Sequence, residues 1–235
     1  MFALGAGARL VGRTHWCDYP GEAEAVPDLG NGIDPNLEAV VQAQPDLVLL
    51  YKSGNNAVAA ERFRNLGIPV LELTTDRIED LSRVTKLLGR ALEMPARADS
   101  LIAAVERDLA TATRSRPAKA PSVFILAWDR PPMTLGRGSF LSEIVERAGG
   151  RNLFEDIAAP SVPVSIETVA SRNPDYVLTH SYEEPGIARL EEWQVVPAVR
   201  DRRFLRVHGS EFNRPSPRIA DAIRQLAARI DSARR

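Results

Sequence analysis

In the stretch RTHWCDYP, residues 13–20, three groups capable of chemistry crowd into four positions: His15, Cys17 and Asp18, with the aromatics Trp16 and Tyr19 beside them. An imidazole and a thiol at alternate positions of an extended segment point to one side, as a nucleophile and its base must, and an aspartate adds a third type of metal ligand. The remaining sequence completes neither arrangement. No third group is spaced to orient the imidazole, Cys17 is the only cysteine, and the other histidines, His180 and His208, stand far along the chain. A metal-binding protein or enzyme using His15, Cys17 and Asp18 is therefore the lesser reading. The other chemistry-bearing turn, Gly136-Arg137-Gly138-Ser139, completes no nucleophile elbow, phosphate loop or dinucleotide fingerprint. It opens a helix beginning at Phe140, whose N–H groups could hold a polar or anionic ligand group. No catalytic residue, bound cofactor or metal is expected.

Aromatic side chains make a stronger pattern. Trp16, Tyr19, Tyr51, Trp128, Phe140, Tyr182, Trp193 and Phe212 fall in loops or next to aliphatic runs that read as strands. In open α/β sheets ligands collect beyond the carboxyl ends of the strands. Tyr51 closes the run 47–50, Trp128 the run 123–127, and Tyr182 follows 176–179, so these three are expected to face a common cleft.

An internal repeat shows what holds them. NLEAVVQAQPDLVL, residues 36–49, aligns without a gap to SIETVASRNPDYVL, residues 165–178. Each copy opens on an N-cap, Asn36 or Ser165, runs through a short helix, and stops at Pro-Asp before a buried strand. Helix and strand alternate after both copies, which predicts α/β architecture with two similar parallel-sheet lobes. Between them, residues 96–114 keep one apolar face over a length of about 28 Å, long enough to bridge the lobes, and a proline-rich connector follows. The expected organisation is an N-terminal lobe over 1–93, a bridging helix and connector over 94–118, a C-terminal lobe over 119–235, and a ligand cleft between the lobes.

Composition narrows the partners. Thirty lysines and arginines against 31 acids give a net charge of −1, with no broad field for nucleic acid or an anionic membrane. No apolar run reaches the ~18 residues of a membrane span. Residues 2–7 read as the last turn of a helix with glycine caps, and no basic leader precedes them, so missing upstream sequence is expected.

These features together resemble the substrate-binding proteins of ABC importers for cobalamin and iron-siderophores. The D-Y-P loop, PDLGNGIDPNLEAVVQAQPDLVLLYKSGN, the later G-x-G-S-F at 136–140, A-G-G-x-N-x-F at 148–154, V-S-x-E at 164–167, P-D-x-V at 174–177 and S-P-R-I at 216–219 occur in the family's order. The resemblance covers nearly the whole chain and is closest to the cobalamin-binding branch. It implies a non-enzymatic receptor that captures a cobalamin-like corrinoid as transported ligand and delivers it to an ABC-transporter permease. It further implies a periplasmic or other extracytoplasmic location, although the absence of a signal peptide leaves the cytoplasm open, and a monomer is expected.

The resemblance assigns ligand contact to Tyr19, Tyr51 and the loop Ser210, Glu211, Phe212, Asn213 and Arg214; the aromatic pattern adds Trp16, Trp128 and Phe140. The family's acidic docking positions fall at Ala57 and Asn213, so Glu61 and Glu211 are the expected substitutes. It also implies that the N-terminal lobe lacks its leading strand. A ferric siderophore or haem is the alternative ligand, with Arg130, Arg137 and Arg214 as the cations an anionic chelate would need.

Overall fold

The computed structural model describes residues 1–32 and 35–234; Ile33 and Asp34, which belong to the PDLGNGIDP motif, and Arg235 lie outside the described residues. The chain is α/β and divides into two compact units, residues 1–75 with 82–102, and 76–81 with 103–235.

In the first unit, three short 3-10 turns, Phe2–Leu4, Gly7–Arg9 and Gly21–Ala25, precede α1 (Leu37–Gln42). Asn36 caps α1 by accepting from the Ala39 N–H at 3.1 Å. β1 (Val48–Tyr51), α2 (Gly54–Asn65) and β2 (Val70–Leu73) follow, and β1 pairs β2 in parallel, Val48 opposite Val70 through Tyr51 opposite Leu73. Ser53 caps α2. At the other end Gly67, at φ 77°, takes the left-handed conformation that a chiral residue resists, and Ile68 N–H closes on the Phe63 carbonyl. Val40, Leu50, Ala60 and Phe63 form the core, to which Leu29, Leu37, Val48, Ile68 and Val70 add.

α3 (Asp80–Ala91) and α4 (Pro95–Ala112) run on from here. α4 buries Ala98, Ile102, Val105 and Ala112, an apolar stripe at helical spacing. Its first part belongs to the first unit and the part from Ala103 to the second. The unit bounds differ from the sequence boundaries: the break falls after Ile102, inside α4, and residues 76–81 group with the second unit, where Glu143 accepts from both the Arg77 guanidinium and the Ile78 N–H. That ion pair raises the Arg77 pKa.

The second unit contains β3 (Ser122–Asp129), β4 (Pro132–Thr134), α5 (Phe140–Arg147), β5 (Arg151–Asn152), β6 (Val162–Pro163), α6 (Ile166–Arg172), β7 (Tyr176–His180), α7 (Pro197–Arg200), β8 (Phe204–Val207) and α8 (Ile219–Ala233). Its six-stranded sheet runs β6-β4-β3-β7-β8, with β5 also on β3. β5, β3, β7 and β8 are mutually parallel, as expected, but β4 and β6 extend the sheet in antiparallel fashion, which the sequence reading does not include. Phe124 is the centre of the core, its ring 6.0 Å from those of both Phe154 and Trp193. Removing such a buried aromatic to alanine costs roughly 3–5 kcal/mol.

The repeat is structural in detail. Ser165 caps α6 through Thr168 N–H as Asn36 caps α1. Both helices then give way to a residue at positive φ just before proline, Gln44 at 50° and Asn173 at 45°, a left-handed stop that a following proline favours over further helix. In the second copy Asp175 next ties this turn to the sheet, accepting from Ser122 N–H at 2.7 Å and Ser122 Oγ at 2.8 Å.

Candidate ligand-binding surfaces at the strand ends

In the first unit the RTHWCDYP loop is pinned from beneath. Arg13 N–H donates to Pro27 carbonyl and Leu29 N–H to Arg13 carbonyl, while the Arg13 guanidinium holds the Val26 and Thr14 carbonyls. His15 N–H reaches Gly30. With its backbone so fixed, the loop turns its large rings outward: Trp16 is 60% and Tyr19 56% exposed. His15 packs against Trp16, ring centroids 4.6 Å apart, and Cys17 Sγ lies 3.5 Å from Thr14 Oγ1, so both serve the loop's own structure. Among the described residues no three of His, Cys, Asp and Glu gather in a way that could hold a metal.

Tyr51 ends β1 and is 47% exposed. The sharp turn after it is held by Asn56, a buried residue of α2 whose side-chain amide donates to the Tyr51 carbonyl at 2.9 Å. The Asn56 Oδ1 has no hydrogen-bond partner. This role has no signature in the sequence, since an asparagine three residues into a helix is ordinary until its backbone target is known.

In the second unit Trp128 stands near the end of β3, where the register with β4 shifts between Leu126 and Trp128. Its indole N–H is satisfied by the Arg130 carbonyl at 2.9 Å, which leaves the ring 62% exposed. Tyr182, just past β7, is 76% exposed and stacks on His208, just past β8, at 4.0 Å between centroids. His180 Nε2 lies 3.1 Å from Gly209 carbonyl. His180 and His208 stand 28 residues apart in the sequence; the pairing of β7 with β8 brings them to one edge.

In each unit taken by itself, exposed aromatics sit at or beside the carboxyl end of a strand, where α/β folds hold ligands.

Several expectations need correction. Trp193 and Phe212 are buried in the core and offer no ring to a ligand. Glu211 is buried too: it accepts from Arg218 at 2.6 Å and from Gln225 at 3.2 Å, an internal anchor unsuited to surface docking. Ser210 belongs to the same cluster, its hydroxyl accepting from Arg218. Of that late loop, Asn213 is exposed and Arg214 half-buried. Phe140 is half-buried at the start of α5. The turn before it is occupied internally: Ser139 caps α5, Arg137 N–H donates to Ile157, and Gly136 and Gly138 lie so close to the 157–159 backbone that a Cβ would collide with it. Arg130 and Arg137 are exposed, as is Glu61 on α2.

Exposed rings on a loop and at strand ends of α/β units are surfaces suited to holding a ligand. The chain belongs to the periplasmic binding protein family, whose model matches residues 1–210. The vitamin B12-binding protein of Vibrio parahaemolyticus serotype O3:K6 is 28% identical over 237 residues, covering 100% of this chain and 86% of the relative. That of Pectobacterium carotovorum subsp. carotovorum is 25% identical, covering 97% and 83%. Among solved structures, the periplasmic heme-binding protein RhuT from Roseiflexus sp. RS-1 aligns with a TM-score of 0.87 at 23% identity over 100% of this chain and 94% of that one. The periplasmic vitamin B12-binding protein BtuF of Vibrio cholerae aligns at 0.78 and 24%, over 100% and 92%. Both similarities establish the shared fold. Among the described residues no helix is long and apolar enough to cross a membrane.

Proposed function

We propose that this protein is the receptor of an ABC importer, binding a cobalamin-like corrinoid outside the cytoplasm and presenting it to a permease, without catalysis and with no bound cofactor of its own. The observation that carries this reading is the set of exposed rings, Trp16 and Tyr19 on the RTHWCDYP loop and Tyr51 at the end of β1 in one unit, and Trp128 and Tyr182 at or just past the ends of β3 and β7 in the other. A corrin is a large, flat, mostly neutral ligand, and aromatic faces bury such a surface at small cost in side-chain entropy. The vitamin B12-binding relatives, similar along nearly the whole chain, support the same ligand class.

Docking to the permease falls to exposed surface carboxylates, of which Glu61 on α2 is our candidate; charge reversal there is expected to lower transporter-stimulated uptake and leave ligand binding intact. The test of the ligand assignment is a titration of purified protein with cyanocobalamin, cobinamide, haem and a ferric siderophore, followed by visible absorbance. Saturable binding of the two corrinoids at concentrations where haem and the siderophore do not compete is the expected result. Preference for haem or the siderophore would transfer the assignment to the anionic chelates, with Arg130, Arg137 and Arg214 as their contacts.

A further inference from the structure

The parallel register of β3 and β7 ends at Ile125 opposite Leu178, because β3 then leaves its neighbour to pair with β4. Where the strands part, a groove of about 290 Å³ opens within the second unit. Leu126 gives it apolar surface, Trp128 contributes a ring, and Asp129, Glu183 and Glu184 bring carboxylates. Glu184 is engaged by Arg202, which with Arg189 and Arg206 holds its carboxyl below the usual range. Asp129 and Glu183 supply the remaining negative charge.

Thr179 is the first residue of β7 beyond that register and part of the groove's lining. It is 4% exposed and its hydroxyl makes no hydrogen bond. A buried hydroxyl without a partner opposes folding, and valine would fill the same shape without that penalty. A ligand group entering the groove would give the hydroxyl its partner.

We propose that this groove is a subsite for a primary-amide side arm of the corrinoid, an inference that rests on the corrinoid reading above. An amide carries both complements: its N–H groups donate to the Asp129 and Glu183 carboxylates, and its carbonyl accepts from the Thr179 hydroxyl. The arm's methylenes lie along Leu126. A carboxylate in place of the amide presents like charge to Asp129 and Glu183 and lacks donors for them, so the groove discriminates amide from acid at nearly constant shape. A volume near the low end of ligand pockets suits one side arm and not a whole corrin.

The test compares cyanocobalamin with its three monocarboxylic acids, each having one propionamide hydrolysed, against the wild-type protein and the variants Thr179→Val and Asp129→Asn. The groove predicts that at least one acid isomer binds wild type about tenfold or more weakly than the parent, a charge-pair effect of ordinary size. Asp129→Asn narrows that gap for the same isomer, while Thr179→Val weakens the parent severalfold and melts no lower than wild type. Equal affinity of all three acids and the parent, or parent binding unchanged in Thr179→Val, overturns the subsite and leaves the corrinoid assignment standing. Absence of cyanocobalamin binding to wild type overturns the assignment itself, and the subsite with it.

Discussion

Arg218 donates to Glu211 at 2.6 Å with the two side chains only 24% and 8% exposed, and the same guanidinium reaches Ser210 Oγ at 2.7 Å. The pair ties the loop after β8 to the approach of α8, and Gln225 on α8 reaches Glu211 from the other side. Removing one member leaves the other charge largely desolvated.

Glu211→Ala is therefore expected to lower stability by about 2–3 kcal/mol, below the figure for a fully buried pair because Arg218 retains some solvent. Denaturant unfolding measures it. A variant as stable as wild type, with impaired transporter coupling, would restore Glu211 as a docking residue.

Gln44 occupies the left-handed region at φ 50°, as does its repeat counterpart Asn173 at 45°. Asparagine tolerates that conformation better than glutamine does. Gln44→Gly is expected to stabilise the protein by about 0.5–1 kcal/mol, a rise of a few degrees or less in Tm, while Asn173→Gly changes little. A lower Tm for Gln44→Gly would contradict this.

Arg172 grips Asp156 with two hydrogen bonds, 2.7 and 2.9 Å, and lies over the Phe154 ring at 4.3 Å. The hydrogen bond from Arg172 is the main cause holding the Asp156 carboxyl below its ordinary value. A carboxylate depressed in the folded state adds stability above its unfolded pKa of ~3.9 and loses it as pH falls through the lower folded value. The stability difference between wild type and Asp156→Asn is thus expected to be small, because the site is solvent-exposed, constant above about pH 5, and to shrink below about pH 4. Carboxyl NMR should find the Asp156 midpoint lowered, and raised again in Arg172→Gln; a midpoint insensitive to that change would dismiss the pair.

Trp128 is fixed through its indole N–H with its ring left open, and Tyr19 projects from a loop pinned at Arg13. Alanine at either position is expected to weaken cyanocobalamin binding by about tenfold or more, the scale of losing an aromatic contact, with little change in Tm. Trp128→Phe keeps a ring and should retain most of the affinity. Unchanged affinity in Tyr19→Ala would remove the RTHWCDYP loop from the binding surface.

Much of the architecture is legible in the sequence because the repeat carries its own punctuation: a capping Asn36 or Ser165, a helix, Pro-Asp, then an aliphatic strand. The antiparallel β4 and β6 are not, since they are two or three residues long and proline-rich, and prolines suppress a strand signal. Tyr51 and Trp128 are legible at the site because they end recognisable strands. Trp193 and Phe212 mislead for the opposite reason: an aromatic in an irregular segment has the same local signature whether it faces solvent or core. Glu211 reads as a surface carboxylate until its partner seven residues on, Arg218, folds back to it. Asn56 and Thr179 carry no local signal, since an unpaired buried atom exists only once the chain has folded.

The most direct test of the corrinoid assignment is isothermal calorimetry of the purified protein with cyanocobalamin, repeated in the presence of haem. The account predicts one saturable site with a micromolar or lower Kd, a negative heat-capacity change from apolar burial, and no loss of apparent affinity with haem present. No binding of cyanocobalamin, or its displacement by equimolar haem, would contradict it.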